Sequence, residues 1–407
     1  MKILVANVGS TSFKYKLFDM TDESVLTEGR IERVGSDASP ITHRARGKPP
    51  IEGTASIPNY PAAIAKAMEW ITDARHGVVS DLSGISAVGF KTVHLKDRPG
   101  AYLLTEEVLE KMAEYNDLVP VHNPPYIKAI RIFRKMFPDL PLVGLFEPAF
   151  HVSIPDYAYI YGVPYAWYER YGVRKVGFHG ASHRYVSERV PERLGVPAEG
   201  LKLVSCHLGG SSSLCAVKDG RSVDTSMGFS AQDGILNAAR TGDLDVFAVL
   251  HVMDREGLST DDVRTILSKQ SGLLGISGVS EDMRDLEAAA ERGNDRARLA
   301  IEAFCYGVKK TIGAYAAAMG GLDALAFAGG IGEKSAKVRA KVCEELAFLG
   351  VRLDKERNRS CTGEETISSE DSPVKVLVVQ TNEELIVARE TASIVNNLRS
   401  QKRRASC

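Results

Sequence analysis

The chain has no Cys-x-x-Cys pair, no surplus of either charge, and no apolar run that reads as a membrane span. Its six cysteines are scattered (Cys206, Cys215, Cys305, Cys343, Cys361 and Cys407), which argues against a zinc ribbon or disulfide scaffold and fits a reducing compartment. Lys and Arg number 51 against 52 Asp and Glu, so there is no electrostatic footprint for nucleic acid. The most apolar stretch, Thr311 to Gly330, contains Asp323 and a Gly320-Gly321 break, and reads as a helix end followed by a strand. The apolar run Ile3 to Val5 is too short for a signal peptide, and a cytoplasmic protein with no membrane partner is expected. The tail Lys402-Arg403-Arg404-Ala405-Ser406-Cys407 reads as a frayed basic end, and its terminal Cys is not a prenylation box. A P-loop is absent, and Gly330-Ile331-Gly332 lacks the later glycine of a dinucleotide fingerprint.

What is present is a globular α/β chain. At 407 residues, with 44% hydrophobic and 25% charged residues, it is long enough for two to three domains of about 150 residues. Lys2 to Asn7 reads as a strand, Val8 to Ser12 as a turn, and Phe13 to Asp19 as a returning strand. The same grammar recurs at Lys202 to His207, Gly209 to Ser213 and Leu214 to Val217, where Asp219-Gly220 adds a hairpin signal. This recurrence points to a duplicated two-domain body, with chance similarity of two hairpins as the alternative. Thr105 is placed to cap a helix, and Asn294 to cap a long one ending at Gly320-Gly321. Leu325 to Ala328 reads as a buried strand and Gly329 to Gly332 as a turn. A helix is expected from Ser335 to near Gly350, a strand over Lys375 to Val379, and a last helix over about Leu385 to Leu398. No low-complexity linker separates the halves, so two domains packed about a cleft are expected.

Three turns of small residues, each following an apolar strand, suit phosphate. Without a Cβ in the way, backbone N–H groups can approach an anion, and Ser and Thr hydroxyls add donors. His179 stands between glycines in Gly177-Phe178-His179-Gly180-Ala181-Ser182-His183, either as a functional donor or as a loop hydrogen-bond residue. Arg240, in Ala238-Ala239-Arg240-Thr241-Gly242-Asp243, is open to a salt bridge with Asp243 or Asp245, or to clamping a phosphoryl group or carboxylate. Glu383 and Glu384 are open to anchoring Mg²⁺ or to stabilising the N-terminus of the last helix.

Taken in order, these motifs resemble the acetate kinase family of short-chain acyl kinases. The resemblance is carried by Asn7-Val8-Gly9-Ser10-Thr11-Ser12-Phe13-Lys14, Phe146-Glu147-Pro148-Ala149-Phe150-His151, the His179 segment, His207-Leu208-Gly209, Val223 to Phe229, Arg240-Thr241-Gly242-Asp243, Gly330-Ile331-Gly332-Glu333 and Thr381 to Leu385. It implies a duplicated ribonuclease H-like fold of the actin, sugar kinase and Hsp70 type, with an interdomain cleft. Residues 1–150, completed by a C-terminal helix over about 385–407, would form an ATPase-like domain. Residues 151–384 would bind nucleotide and dimerise. The implied reaction is reversible phosphoryl transfer from ATP to a short carboxylate, with ADP as product and Mg²⁺ (or Mn²⁺) as cofactor. Arg240, His179 and Glu147 would be catalytic. Lys91, Val93, Val121, Phe178 and Ala231 would hold the acid. Lys14, the segment His207, Leu208, Gly209, Gly210 and Ser211, the segment Asp282, Met283 and Arg284, and the segment Gly330, Ile331, Gly332, Glu333 and Lys334 would bind nucleotide. Asn7 and Glu383 would hold the metal.

The sequence departs from the family pattern at several of these positions. Lys91 stands where the family has the Arg that grips the carboxylate, which keeps the charge but loses the bidentate fork. Glu147 replaces an Asp, and Pro148 a Thr; Gly210 and Lys334 each replace an Asn. Val121 and Ala231 are smaller than the family's Leu and Pro, and Leu236-Asn237-Ala238-Ala239 replaces a Gly-rich approach to Arg240. Acetate is the expected acid. Propionate or a larger or more polar carboxylate is the alternative, and a catalytically weak nucleotide-binding regulator is a further one.

Overall fold

The computed structural model describes residues 1–9, 11–95, 99–116 and 123–405. Val121, expected in the acid pocket, and Ser10 of the first turn lie outside the described residues. The chain divides into two compact units, Met1–Ala149 with Asn382–Cys407, and Phe150–Thr381. Among the described residues, no helix is long and apolar enough to cross a membrane.

Unit 1 is built on strands β1 (Lys2–Val8), β2 (Ser12–Asp19), β3 (Ser24–Glu32), β4 (Ser36–Ala45), β5 (Ile51–Ile57), β6 (Ala87–Thr92), β7 (Ala101–Leu103) and β8 (Leu142–Phe146). Their order in the sheet is β5-β4-β3-β2-β1-β6-β8-β7. The first five strands form an antiparallel meander, whereas β1, β6 and β8 run parallel. β2 alternates buried Phe13, Tyr15 and Leu17 with the more exposed Lys14 and Lys16, as a strand with one face on a core does. β8 is buried along its length, as a parallel strand covered on both faces should be.

Unit 2 repeats the plan. Strands β9 (Lys202–His207), β10 (Ser213–Lys218), β11 (Arg221–Thr225), β12 (Ala324–Ala328), β13 (Glu365–Thr366) and β14 (Lys375–Val378) are ordered β11-β10-β9-β12-β14-β13. Here too an antiparallel meander ends on a strand, β9, that pairs in parallel with β12, which pairs in parallel with β14. The run β3-β2-β1-β6-β8 in unit 1 thus matches β11-β10-β9-β12-β14 in unit 2. The helix Asp295–Met319 lays Phe304, Val308 and Ile312 into the unit 2 core, and Asn294 caps it by accepting from the Ala297 N–H.

Three expected boundaries change. Gly329 to Gly332, read as a turn, begins a short helix, Gly329–Lys334. Gly329 enters it at φ 74°, and a Cβ there would sit 2.7 Å from the Leu208 carbonyl oxygen, so packing on the neighbouring turn overrides the low helix propensity of glycine. The helix opened by Ser335 spans Ala336–Cys343 and stops well before Gly350, because Glu345 takes φ 64° and a short 3-10 turn follows. The last helix starts at Glu383, earlier than Leu385, and runs to Ala405.

Candidate active site

In unit 1 the expected residues gather at the carboxyl ends of the parallel strands, where open α/β sheets place their ligands. Asn7 is near the end of β1, opposite Lys14 on β2. Lys91 is near the end of β6, and Glu147 follows β8. Glu383 is the first residue of the last helix, which packs on β6, β1 and β8. Lys91 Nζ lies 2.9 Å from Glu147 Oε1 and also pairs with Glu383. Glu147 is buried, whereas Lys91 keeps 24% of its side-chain surface exposed. Burial alone would pull the Lys91 ammonium down, but the charges and hydrogen bonds of Glu147 and Glu383 carry it well above the ordinary lysine value. Lys91, expected to grip a substrate carboxylate, therefore grips two carboxylates of its own unit.

Tyr126 joins this group by donating from its hydroxyl to Asn7 Oδ1 at 3.0 Å. Burial holds its phenol up at about 12, so it stays a donor. Glu383, the Asn7 amide and Glu147 offer only oxygen ligands, the chemistry that suits Mg²⁺. Among the described residues, no three His, Cys, Asp or Glu side chains form a ready metal cage. Mg²⁺ does not need one, since it commonly takes one or two carboxylates and completes its shell with substrate phosphates and water.

In unit 2 the corresponding strand ends carry the other expected residues. His207 closes β9 beside Ala328, the last residue of β12. A cavity of about 500 Å³ is lined by Gly209 and Gly210 after β9, by Gly330, Ile331 and Lys334 after β12, and by Asp282, Met283 and Arg284. Gly210 and Gly330 face open space, where a Cβ would meet nothing within 4 Å. The Gly209–Ser212 turn is held from within by the Gly209 N–H on Ser212 Oγ at 3.0 Å. Buried Asn237 holds it from outside by accepting from the Ser212 N–H. The Leu236-Asn237-Ala238-Ala239 stretch thus braces the turn: the Ala238 N–H also donates to the Gly210 carbonyl at 3.1 Å. Glu333 turns back to accept from the Gly329 N–H at 3.1 Å. Arg284 is folded onto Asp282, which caps the Met283–Glu291 helix.

Arg240 donates to Ser211 Oγ at 3.2 Å and to the Ala231 carbonyl at 3.0 Å. The salt-bridge reading does not hold. Asp243 instead accepts from the Gly234 N–H at 2.9 Å, and Asp245 caps the helix Val246–Glu256. Burial pulls the Arg240 guanidinium below its ordinary value, with no acid beside it among the described residues. A guanidinium in this state, beside a turn open to anions, suits a visiting phosphoryl group or carboxylate.

His179 caps the helix Gly180–Leu194 at φ 55°, a conformation uncommon outside glycine. Gly177, at φ 77°, makes room for the ring of His151, which a Cβ there would meet at 2.6 Å. The His179 ring stacks on His207 with centroids 4.3 Å apart, and its Nδ1 lies 2.8 Å from Ser213 Oγ. His183 and Ser205 stand behind Ser213. Of the expected acid-pocket residues, Val93 belongs to unit 1, and Phe178 and Ala231 to unit 2. Sequence reasoning left Tyr126, Asn237, His183, Ser205 and Ser213 without roles. The spacing of His183, four residues after His179 on the same helix, was the one available signal for any of them.

The sequence matches the family described as the acetokinase family over residues 2–389. An acetate kinase of Carboxydothermus hydrogenoformans is 47% identical over 398 residues, covering 98% of this chain and 100% of that protein. One of Caldanaerobacter subterraneus subsp. tengcongensis is 47% identical over 401 residues, with coverage of 98% and 100%. Among solved structures, Porphyromonas gingivalis acetate kinase superposes with a TM-score of 0.87 at 37% identity, covering 97% of this chain and 99% of that one. A propionate kinase from Francisella tularensis subsp. tularensis gives 0.86 at 35% identity, covering 96% and 98%. With the same motifs along nearly its whole length, the chain belongs to the acetokinase family.

Proposed function

We propose that this protein transfers the terminal phosphoryl group of ATP to a short carboxylate, reversibly, giving ADP and an acyl phosphate. The acid is ionised at neutral pH, since carboxyl pKa values lie near about 4, so its oxygen needs no strong base. That oxygen forms the new P–O bond while the bond to the ADP oxygen breaks. The task is to bring an anion against a polyanion and to stabilise the charge on the moving group. Arg240 and His179 act as donors to its equatorial oxygens. Lys14 and the turn from His207 to Ser211 hold phosphates, and the cavity lined by Ile331 and Met283 takes the adenosine. Asn7 and Glu383 hold Mg²⁺ (or Mn²⁺), which when bound neutralises phosphate charge. Glu147 orients the incoming acid, and Lys91 balances the charge of the two carboxylates around it. The observation that carries this reading is Arg240, a half-buried guanidinium with no acid beside it among the described residues.

Acetate is the proposed acid. Propionate is the rival, favoured by the small Ala231 in the expected acid pocket. The test incubates the protein with ATP, Mg²⁺, hydroxylamine and a panel of short acids, trapping acyl phosphates as hydroxamates. Hydroxamate from acetate or propionate is the expected result; none from any acid would sink the proposal.

The partner we propose is a second copy of the chain, bound through unit 2. That unit exposes Tyr157, Tyr165, Trp167, Tyr171 and Phe247, with Tyr157 at 82% and Phe247 at 79%. Exposed aromatics of this kind mark association surfaces. A monomeric mass by light scattering at micromolar protein would count against it. A cytoplasmic location fits the free cysteines, of which Cys206, Cys215, Cys305 and Cys343 are buried.

A further inference from the structure

The His179 imidazole is the end of a chain of buried groups whose protons can be counted. Its Nδ1 is 2.8 Å from Ser213 Oγ. The same oxygen is 2.8 Å from His183 Nε2. His183 Nδ1 is 2.9 Å from Ser205 Oγ. Ser205, Ser213 and His183 are fully buried. A serine hydroxyl has one proton, so Ser213 must donate to one imidazole and accept an N–H from the other. The chain therefore runs in one direction or the other.

The two directions are not equivalent. If Ser205 donates to His183 Nδ1, then His183 Nε2–H donates to Ser213, and Ser213 donates to His179 Nδ1. Every proton then has an acceptor, and His179 carries its own proton on Nε2. In the reverse direction His179 Nδ1–H donates to Ser213, Ser213 to His183, and His183 Nδ1–H to Ser205. The hydroxyl proton of Ser205 is then left in the core with no second acceptor among the described residues, an arrangement native interiors avoid. Protonating His179 or His183 fully also requires His183 Nδ1–H or Ser213 to point the wrong way, or turns Ser205 into an acceptor with an orphaned proton. Burial favours the neutral form of His183, and the neighbouring His151 and His207 rings add to that preference. His151 shows the same logic with a fixed end: its Nε2–H donates to the Phe178 carbonyl at 2.9 Å, so its Nδ1 accepts from Ser222.

We propose that Ser205, His183 and Ser213 form a one-way hydrogen-bond relay that holds His179 as a neutral imidazole with its proton on Nε2. These three are positioning residues. The relay gives His179 a ready donor without any protonation step, and makes it a donor to the phosphoryl group, not a base. This deepens the proposed phosphoryl transfer and rests on it for its purpose, although the tautomer itself does not.

The test is nitrogen-15 NMR of full-length protein labelled at histidine, with the His179 resonances assigned by loss in His179→Gln. The wild type is expected to show His179 with unprotonated Nδ1 and protonated Nε2 in neutral buffer. Finding His179 as the Nδ1–H tautomer or as imidazolium overturns the relay, and this readout on the wild type does not depend on activity. Ser205→Ala removes the anchoring donor at a fully buried position. It should mix the His179 tautomers and lower kcat by about tenfold to a hundredfold, the range seen when outer partners of a ligating histidine are lost, with the KM for ATP unchanged. Ser205→Thr should restore both. A Ser205→Ala protein with an unaltered His179 signature and kcat also overturns the relay. If the NMR result holds but no acid yields hydroxamate, the relay stands and the phosphoryl-transfer reading falls.

Discussion

Lys91 Nζ and Glu147 Oε1 are 2.9 Å apart, at the ends of neighbouring parallel strands, with Glu383 on the same ammonium. The two departures from the family pattern, Lys for Arg and Glu for Asp, therefore meet in one contact. A compact ammonium reaches a carboxylate that has gained a methylene, so the two changes are matched to each other.

That match predicts non-additivity. Lys91→Met leaves two carboxylates without their cation, and should cost about 2–3 kcal/mol, below the 3–5 typical of a fully buried pair because Lys91 is partly exposed. Lys91→Arg and Glu147→Asp should each lower kcat/KM, and the double variant should recover at least tenfold over the product of the single effects. Urea unfolding and the hydroxamate assay measure the two parts. Additive losses would show that the residues act separately.

Arg240 should behave in the opposite way towards stability. Its guanidinium is half-buried with no acid beside it among the described residues, so Arg240→Ala removes a partly desolvated charge along with its two hydrogen bonds. We expect kcat to fall by about a hundredfold to a thousandfold, as for loss of one transition-state donor, with the melting temperature unchanged or raised. A large drop in melting temperature would mean that Arg240 mainly holds the Ser211 turn.

The buried histidines of unit 2 set an acid limit. Burial holds His151 down at about 4, and His183 also well below its ordinary value. The unfolded chain takes up these protons near about pH 6.5 and the folded protein does not. Stability should therefore be complete above that pH and fall as the pH drops towards about 4, by about 1.4 kcal/mol per pH unit for each group. Urea midpoints between about pH 7 and about pH 5 measure the slope, and His151→Asn should reduce it by one proton's worth.

Gly89, on the same strand as Lys91, offers a test through packing. A Cβ on it would lie 2.4 Å from Thr391 Oγ1 and 2.8 Å from Val387 Cγ1 of the last helix. Gly89→Ala should cost about 1–3 kcal/mol as an overpacked contact. Because the displaced helix begins at Glu383, the variant should also need more Mg²⁺ for half-maximal activity. Calorimetry and a Mg²⁺ titration check the two halves.

Local chemistry made much of this legible in the sequence. The hairpins β1-β2 and β9-β10 were readable because each is an alternating strand, a turn of small residues and a returning strand. The caps Thr105 and Asn294 were readable from the side chain alone. The helix at Gly329 was not, because four residues including three glycines fold there only against the Leu208 turn. Nor was the pairing of Lys91 with Glu383, whose positions are 292 apart in the chain. The relay behind His179 escaped for the same reason: Ser205 and Ser213 look like ordinary strand residues until β9 and β10 pair and present both hydroxyls to one histidine.

The last helix belongs to the sheet that opens the chain, while unit 2 comes from one continuous stretch between them. During synthesis the middle of the protein is free to fold first, and the opening sheet must wait, one face bare, for the final residues to emerge. Since those residues also bring Glu383 to Lys91, the ion pairs around Lys91 are completed only when the last helix docks on the opening sheet.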